Sequence, residues 1–107
     1  MRILNFEHKE DVTIHFDRIK PFKNVCKITG VTENCNVVVD YVPSDKVIDI
    51  VDYRKYFERG FNALIEEIAQ DLFHYIDNLI KPKKLKVQVF LENNEHLTDW
   101  SVIIEKK

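Results

Sequence analysis

The chain has few of the residues that break or crosslink a fold: its 107 residues include two glycines, three prolines and two cysteines. Two cysteines are too few for a disulfide framework, and they do not form a Cys-x-x-Cys pair. With so few glycines, the sequence has no glycine-rich loop of the kind that binds phosphate. These shortages exclude a disulfide-stapled secreted protein and a P-loop nucleotide-binding protein, and they favour an intracellular protein with reduced thiols.

Long apolar runs and a strong net charge are also missing. No run approaches the ~20 apolar residues that a membrane-spanning helix needs, and the N-terminus lacks the apolar stretch of a signal peptide. The net charge is −2, so binding to tRNA would require a local basic patch and not a global field. We therefore expect a cytoplasmic protein with one globular domain over residues 1–107.

Apolar patterns predict strands in both halves of the chain. A period of two indicates strands around residues 12–16, 85–91 and 100–104, and a β-branched run indicates another over 36–42. The first two strands are expected to pair as a hairpin with a long connection, which in a compact domain is usually functional. A polar stretch at residues 92–95 predicts a turn between the last two strands.

Between these strands the pattern has the period of a helix. From Asp49 to Ile80 the apolar residues form one stripe, which Gly60 is expected to divide into a short and a longer helix. Asp49 or Asp52 could cap the start, and Pro82 ends the pattern. The order strand, strand, helices, strand, strand predicts an α+β fold, with an antiparallel sheet and helices on one face.

Cys26 is the first candidate for chemistry. It lies in a polar, glycine-ended stretch, Pro21-Phe22-Lys23-Asn24-Val25-Cys26-Lys27-Ile28-Thr29-Gly30, where an exposed thiol is a liability unless it has a use. A cysteine is more often a small buried hydrophobe, but Lys23 and Lys27 would favour the thiolate, which is the nucleophilic form. Cys35, which precedes a run of valines, is expected to pack against that strand.

A pair of acidic residues in the helical segment, Glu66 and Glu67, is the second candidate. One of the two is expected to lie on a solvated face. Glu66 would lie at the edge of the apolar stripe, where a carboxylate could accept two N–H bonds from the edge of a guanine-like or pterin-like ring. The histidines show no metal-ligand spacing, so no metal site is predicted; they are His8, His15, His74 and His96.

The segment around Cys26 resembles the QueF-like family, which includes the nitrile reductases of queuosine biosynthesis. Cys26-Lys27-Ile28-Thr29-Gly30 is similar to the family's Cys-Pro-x-Thr-Gly loop, and Tyr41-Val42-Pro43 is similar to its strand ending in Tyr-x-Pro. The resemblance extends from about Pro21 to Val89. It implies the tunnelling fold, a ββααββ unit that assembles into stacked homo-oligomeric rings with sites between subunits.

The resemblance also implies roles for three residues. Cys26 would attack the nitrile carbon of 7-cyano-7-deazaguanine to form a covalent thioimide. Glu33, seven residues later, would assist proton transfer, and Glu66 would anchor the purine-like ring. The family has Asp at the position of Glu33, and a His where this chain has Ile65.

Two branches of the family remain open. The reductases hold NADPH with a Lys and a Ser at the start of the first helix, where this chain has Val51 and Asp52. These differences and the short chain favour the other branch, the archaeosine-forming amidinotransferases. There the cysteine traps the nitrile of a base already placed in tRNA, and ammonia releases it as an amidine without a redox cofactor.

Two further interpretations stay open. A pterin-binding enzyme of the dihydroneopterin aldolase type is suggested by Val51-Asp52-Tyr53 and Leu64-Ile65-Glu66, although Leu91-Glu92 stands where that enzyme needs a lysine. A non-catalytic ring-forming homologue would also lack the histidine and the residues that hold NADPH.

Overall fold

The computed structural model describes residues 1–18, 20–92 and 97–107. Most of the predicted turn at residues 92–95 therefore lies outside the described residues. The elements in chain order are β1 (Ile3–Asn5), β2 (Ile14–Phe16), β3 (Phe22–Val25), β4 (Thr32–Val42), β5 (Lys46–Ile48), α1 (Ile50–Tyr56), α2 (Ile65–Ile80), β6 (Lys84–Glu92) and β7 (Trp100–Lys106).

A five-stranded antiparallel sheet organises the fold. The long strand β4 pairs with β6 along one edge, and β6 pairs with β7. On its other edge β4 pairs with two short strands in turn: β3 at residues 32–35 and β2 at residues 39–41. One continuous strand therefore fixes the position of two separate pieces of the N-terminal segment.

The predicted strands and helices are found, with one strand inside the predicted connection. The long connection expected between the first two strands contains β3, so the hairpin joins β3 to β4 and its tip is residues 26–31. The alternation in β3 was obscured because its second inward position is Asn24, a buried polar residue. The pair β1–β5 was not predicted, because each of its strands has only three residues.

The helix α2 supplies the largest part of the core. Its apolar stripe packs on the sheet, and burying each large aliphatic side chain there contributes roughly 1.5–3 kcal/mol. The stripe consists of Ile65, Ile68, Ala69, Leu72, Phe73, Ile76 and Ile80. Among the described residues, no helix is long and apolar enough to cross a membrane.

The predicted helix boundaries agree with the structure. The Asp49 carboxylate accepts a hydrogen bond from the Val51 N–H at 2.9 Å, which makes Asp49 the N-cap of α1. Gly60 lies between the two helices at φ 74°, a left-handed conformation that glycine adopts readily. The helix α2 ends at Ile80, two residues before Pro82.

His8 joins the N-terminal segment to the turn between β4 and β5. Its Nδ1 lies 2.7 Å from the carbonyl oxygen of Glu10, and its Nε2 lies 2.6 Å from the carbonyl oxygen of Ser44. Carbonyl oxygens only accept, so both contacts are hydrogen bonds only when both ring nitrogens carry protons. The bond to Ser44, followed by the bond to Glu10, raises the pKa of His8.

This raised pKa predicts a pH-dependent stability. The contribution of His8 is complete below the unfolded pKa of about 6.5 and is lost as the pH rises through the higher folded pKa. We expect His8→Gln to reduce the loss of stability between about pH 5.5 and about pH 8.5, measured by urea unfolding. His15, whose pKa is raised by Asp40, contributes with the same sign, so His15→Gln is the comparison variant. A His8→Gln protein with the full wild-type pH dependence would refute the double-donor role.

Candidate active site

The tip of the β3–β4 hairpin holds Cys26 in a closed turn. The Cys26 N–H donates to the carbonyl oxygen of Val31 at 2.9 Å, and the Gly30 N–H donates to the carbonyl oxygen of Cys26 at 2.8 Å. Gly30 has φ 75°, in the left-handed region that an L residue enters only with strain. The backbone on both sides of the thiol is therefore fixed by hydrogen bonds.

The turn lowers the pKa of the Cys26 thiol. The largest cause is the Thr29 hydroxyl, followed by the backbone N–H groups of Thr29 and Ile28, all of which favour the thiolate; burial and the charge of Glu33 oppose them. The Thr29 hydroxyl oxygen also accepts from the Val31 N–H at 3.3 Å, so its single proton remains for the sulfur. Thiolate is the nucleophilic form, so the turn prepares Cys26 for attack on a carbon atom.

The two lysines expected to favour the thiolate have other partners. Lys23 Nζ lies 2.5 Å from Asn34 Oδ1, and Lys27 Nζ lies 2.7 Å from Glu67 Oε2. The expectation that these lysines activate Cys26 was therefore wrong in its physical cause. The hydrogen-bond donors of the turn itself have the largest effect.

Glu33 lies beside Cys26 on the same hairpin. Its position on β4 is directly opposite Asn24 on β3, and its Oε1 accepts from Asn24 Nδ2 at 2.9 Å. Cys26 directly follows β3, two residues after Asn24, at the start of the hairpin tip. The negative charge of Glu33 is felt at the sulfur, where it raises the pKa of Cys26. The structure thus brings together the two residues for which the resemblance implied catalytic roles.

Asn24 was not recognised from the sequence as part of this site. Its side chain has no exposed surface, and its amide bonds both to Glu33 and to the backbone of Ala63 in the segment before α2. The available signal was a polar residue at an inward position of a short strand, two residues before the cysteine. Buried amides have to be hydrogen-bonded, so such a residue usually organises its surroundings.

Of the two glutamates at the start of α2, Glu67 contacts the cysteine turn. Glu67 Oε2 pairs with Lys27, and its Oε1 accepts from the Leu64 N–H at 2.9 Å, which caps the helix. Glu66 is exposed, and within the described part of the chain its carboxylate has no hydrogen-bond or ion-pair partner. Its predicted role as an anchor for a ring remains a prediction, because the structure does not bring it into contact with Cys26.

The second cysteine has the opposite environment. Cys35 is fully buried in β4, opposite Phe22, and burial, followed by the charges of Glu33 and Glu92, raises its pKa to about 12. The expectation that it packs in the core is confirmed, although it lies within the strand and not before it. Of the two thiols, Cys26 is therefore the one whose surroundings favour the thiolate.

A cavity lies elsewhere in the structure. It has a volume of about 510 Å³ beside α1, and none of the three predicted site residues lines it. Its lining includes Phe22, Lys23, Asn36, Tyr53 and Arg54. In the described ranges, no cluster of three His, Cys, Asp or Glu side chains could hold a metal ion.

Two curated proteins are similar to the chain, while no family model matches it. The chain is 32% identical over 69 residues to an archaeosine synthase from Pyrobaculum calidifontis, a match that covers 63% of each protein. It is 24% identical over 86 residues to an NADPH-dependent 7-cyano-7-deazaguanine reductase from Thermoanaerobacter pseudethanolicus, covering 78% of this chain and 65% of the relative. The chain thus spans just under two thirds of the length of these relatives.

Two solved structures have the same fold over almost the whole chain. The archaeosine synthase QueF-Like in its apo form superposes with a TM-score of 0.74 at 24% identity, covering 92% of this chain and 95% of that structure. A Vibrio cholerae protein assigned as a dihydroneopterin aldolase superposes with a TM-score of 0.70 at 11% identity, covering 92% and 98%. The predicted α+β tunnelling fold is therefore confirmed. Together with the similarity to the two curated relatives, it supports the predicted resemblance to the QueF-like family.

Proposed function

We propose that the chain is an enzyme of 7-deazaguanine tRNA modification in which Cys26 captures the nitrile of 7-cyano-7-deazaguanine. The observation that carries the proposal is the closed turn that lowers the pKa of Cys26, with the Glu33 carboxyl group beside it. A stabilised thiolate next to a proton-carrying group is suited to attack on an electrophilic carbon whose partner atom must then be protonated.

The capture step is an addition. The Cys26 sulfur forms a bond to the nitrile carbon, one π bond of the C≡N group breaks, and its electron pair moves to nitrogen. Glu33 accepts the proton that the Cys26 thiol gives up and delivers it to that nitrogen, which gives a neutral thioimide. No oxidant or reductant takes part, and no leaving group departs.

Release by ammonia is the outcome that we propose. Ammonia adds to the thioimide carbon, and collapse expels the Cys26 thiolate and leaves an amidine, so the overall reaction is amidinotransfer without a redox cofactor. Asp52 supports this choice over reduction because its carboxylate accepts the Arg2 N–H at 2.7 Å and is thus committed to holding the N-terminal strand. The neighbouring Val51, 46% exposed, presents no charge to a nucleotide phosphate.

Recognition of the base is assigned to Glu66. Its exposed carboxylate could accept two N–H groups from the edge of a guanine-like ring. Because the surface around Cys26 is open, we propose that a second copy of the chain, in a homo-oligomeric ring, encloses the base, and that the base is presented within tRNA.

Intact-mass measurement tests the capture step. Incubation with 7-cyano-7-deazaguanine is expected to increase the mass of the protein by that of the whole base, because nothing leaves in the addition. Cys26→Ala should abolish the adduct, whereas Cys35→Ala, which removes the buried thiol, should retain it. An adduct that survives in Cys26→Ala, or no adduct in the wild type with the free base or with tRNA carrying it, would rule out the mechanism.

The support of the thiolate by the turn can be measured without a substrate. In a Cys35→Ala background, Thr29→Val is expected to raise the pKa of Cys26 and to slow its alkylation by iodoacetamide severalfold near neutral pH, because the largest stabilising contact is lost. The control is Thr32→Val, which changes an exposed threonine on the adjoining strand. Equal alkylation rates in Thr29→Val and the control would contradict this role.

The two release routes are distinguished by adding ammonia or NADPH to the preformed adduct. We expect ammonia to restore the unmodified protein mass and to yield the amidine, while NADPH leaves the adduct in place. Oxidation of NADPH with formation of an amine would establish the reductase alternative instead. Tight binding of a pterin that Cys26→Ala does not weaken would favour an enzyme of the dihydroneopterin aldolase type.

A further inference from the structure

Asn24 is hydrogen-bonded both to the Glu33 side chain and to the segment leading into α2. Its Nδ2 donates to Glu33 Oε1 at 2.9 Å and to the Ala63 carbonyl oxygen at 3.0 Å. Its Oδ1 accepts from the Ala63 N–H at 3.1 Å. The fully buried amide thus has both N–H groups and its oxygen engaged.

The backbone around Asn24 is tied to the same segment. The Val25 N–H donates to the carbonyl oxygen of Phe61 at 2.8 Å, and the Phe61 N–H donates to the carbonyl oxygen of Lys23 at 3.1 Å. These bonds form a short parallel bridge between Asn24 and Phe61. The orientation of the amide is therefore set by the backbone of two segments and does not depend on solvent.

Glu33 has no other side-chain partner of this kind among the described residues. The bond from Asn24 holds Oε1, while Oε2 has no hydrogen-bond partner within the described ranges. A carboxyl group on a flexible stem can leave a nearby thiol by rotating its side chain, and one buried donor restricts that rotation. Asn24 is thus placed to keep the charge of Glu33 near the sulfur.

We propose that Asn24 is a positioning residue: its buried amide fixes the Glu33 carboxyl group beside Cys26 by locking it to the segment before α2. The assignment of Glu33 as the proton donor rests on the proposed function. The positioning itself is a property of the folded chain and can be tested on the thiol alone.

A cycle of two substitutions tests this proposal through the pH profile of Cys26 alkylation by iodoacetamide, in a Cys35→Ala background. The charge of Glu33 raises the pKa of Cys26, so Glu33→Gln should move the profile to lower pH. Asn24→Ser, whose side chain is too short to reach Glu33, should move it in the same direction. In the Glu33→Gln background, Asn24→Ser should produce no further shift, because the two residues act as a unit.

A matched control and a second variant keep the outcome decisive. Asn34→Ser removes the amide that accepts from Lys23, one residue from Glu33, and should leave the profile unchanged. If Asn24→Ser does not fold, as judged by circular dichroism, Asn24→Leu takes its place. Asn24→Leu keeps about the size of the side chain, has no donor for Glu33 and adds no charge near the thiol.

Two results would overturn the proposal: a profile for the Asn24 variant identical to that of the reference, or an equal shift with and without Glu33. The second would mean that Asn24 supports the turn only structurally. The same four proteins are then treated with 7-cyano-7-deazaguanine, where Asn24→Ser should slow adduct formation severalfold only when Glu33 is present. If the reference protein forms no adduct, the proposed function fails while the alkylation cycle still decides the role of Asn24.

Discussion

The pairing of β3 with the first part of β4 is the constraint on which the candidate site depends. It places Asn24 opposite Glu33, and it fixes the ends of the turn that contains Cys26. For the site, the register of this pairing is more important than the number of its hydrogen bonds, because a shift by one residue would turn these side chains to the other face of the sheet. The continuation of β4 into the core beside β6 anchors this register.

The sequence was informative wherever one physical signal dominated. The 3.6-residue period predicted both helices, Asp49 was one of two predicted caps for the start of α1, and Gly60 predicted where the helical segment divides. The strand β3 was not predicted because Asn24 interrupts the alternation of apolar residues. The burial of Asn24 depends on its hydrogen bonds to Ala63, almost forty residues away. Local patterns carry no information about such a contact, so the part of the site that needs it could not be predicted.

The electrostatics of the site also depend on contacts that the sequence does not reveal. A cysteine near two lysines suggested a thiolate stabilised by positive charge, yet both ammonium groups are paired with other side chains. The stabilisation comes mainly from short-range dipoles of the turn, the hydroxyl of Thr29 and two backbone N–H groups. The charges that act at a given atom depend on where the side chains point. The spacing of residues along the chain does not determine the direction of a side chain.

The carboxylate of Glu67 makes two contacts: one oxygen caps the start of α2, and the other forms an ion pair with Lys27 in the cysteine turn. Order in the turn and order in the first turn of the helix are therefore thermodynamically linked. A molecule that displaces Lys27 when it reaches Cys26 would loosen the start of α2, and amide exchange there would speed up upon binding. The rate of amide exchange in the first turn of α2 would thus indicate whether a molecule is bound at the cysteine turn, although the backbone of this helix takes no part in the chemistry.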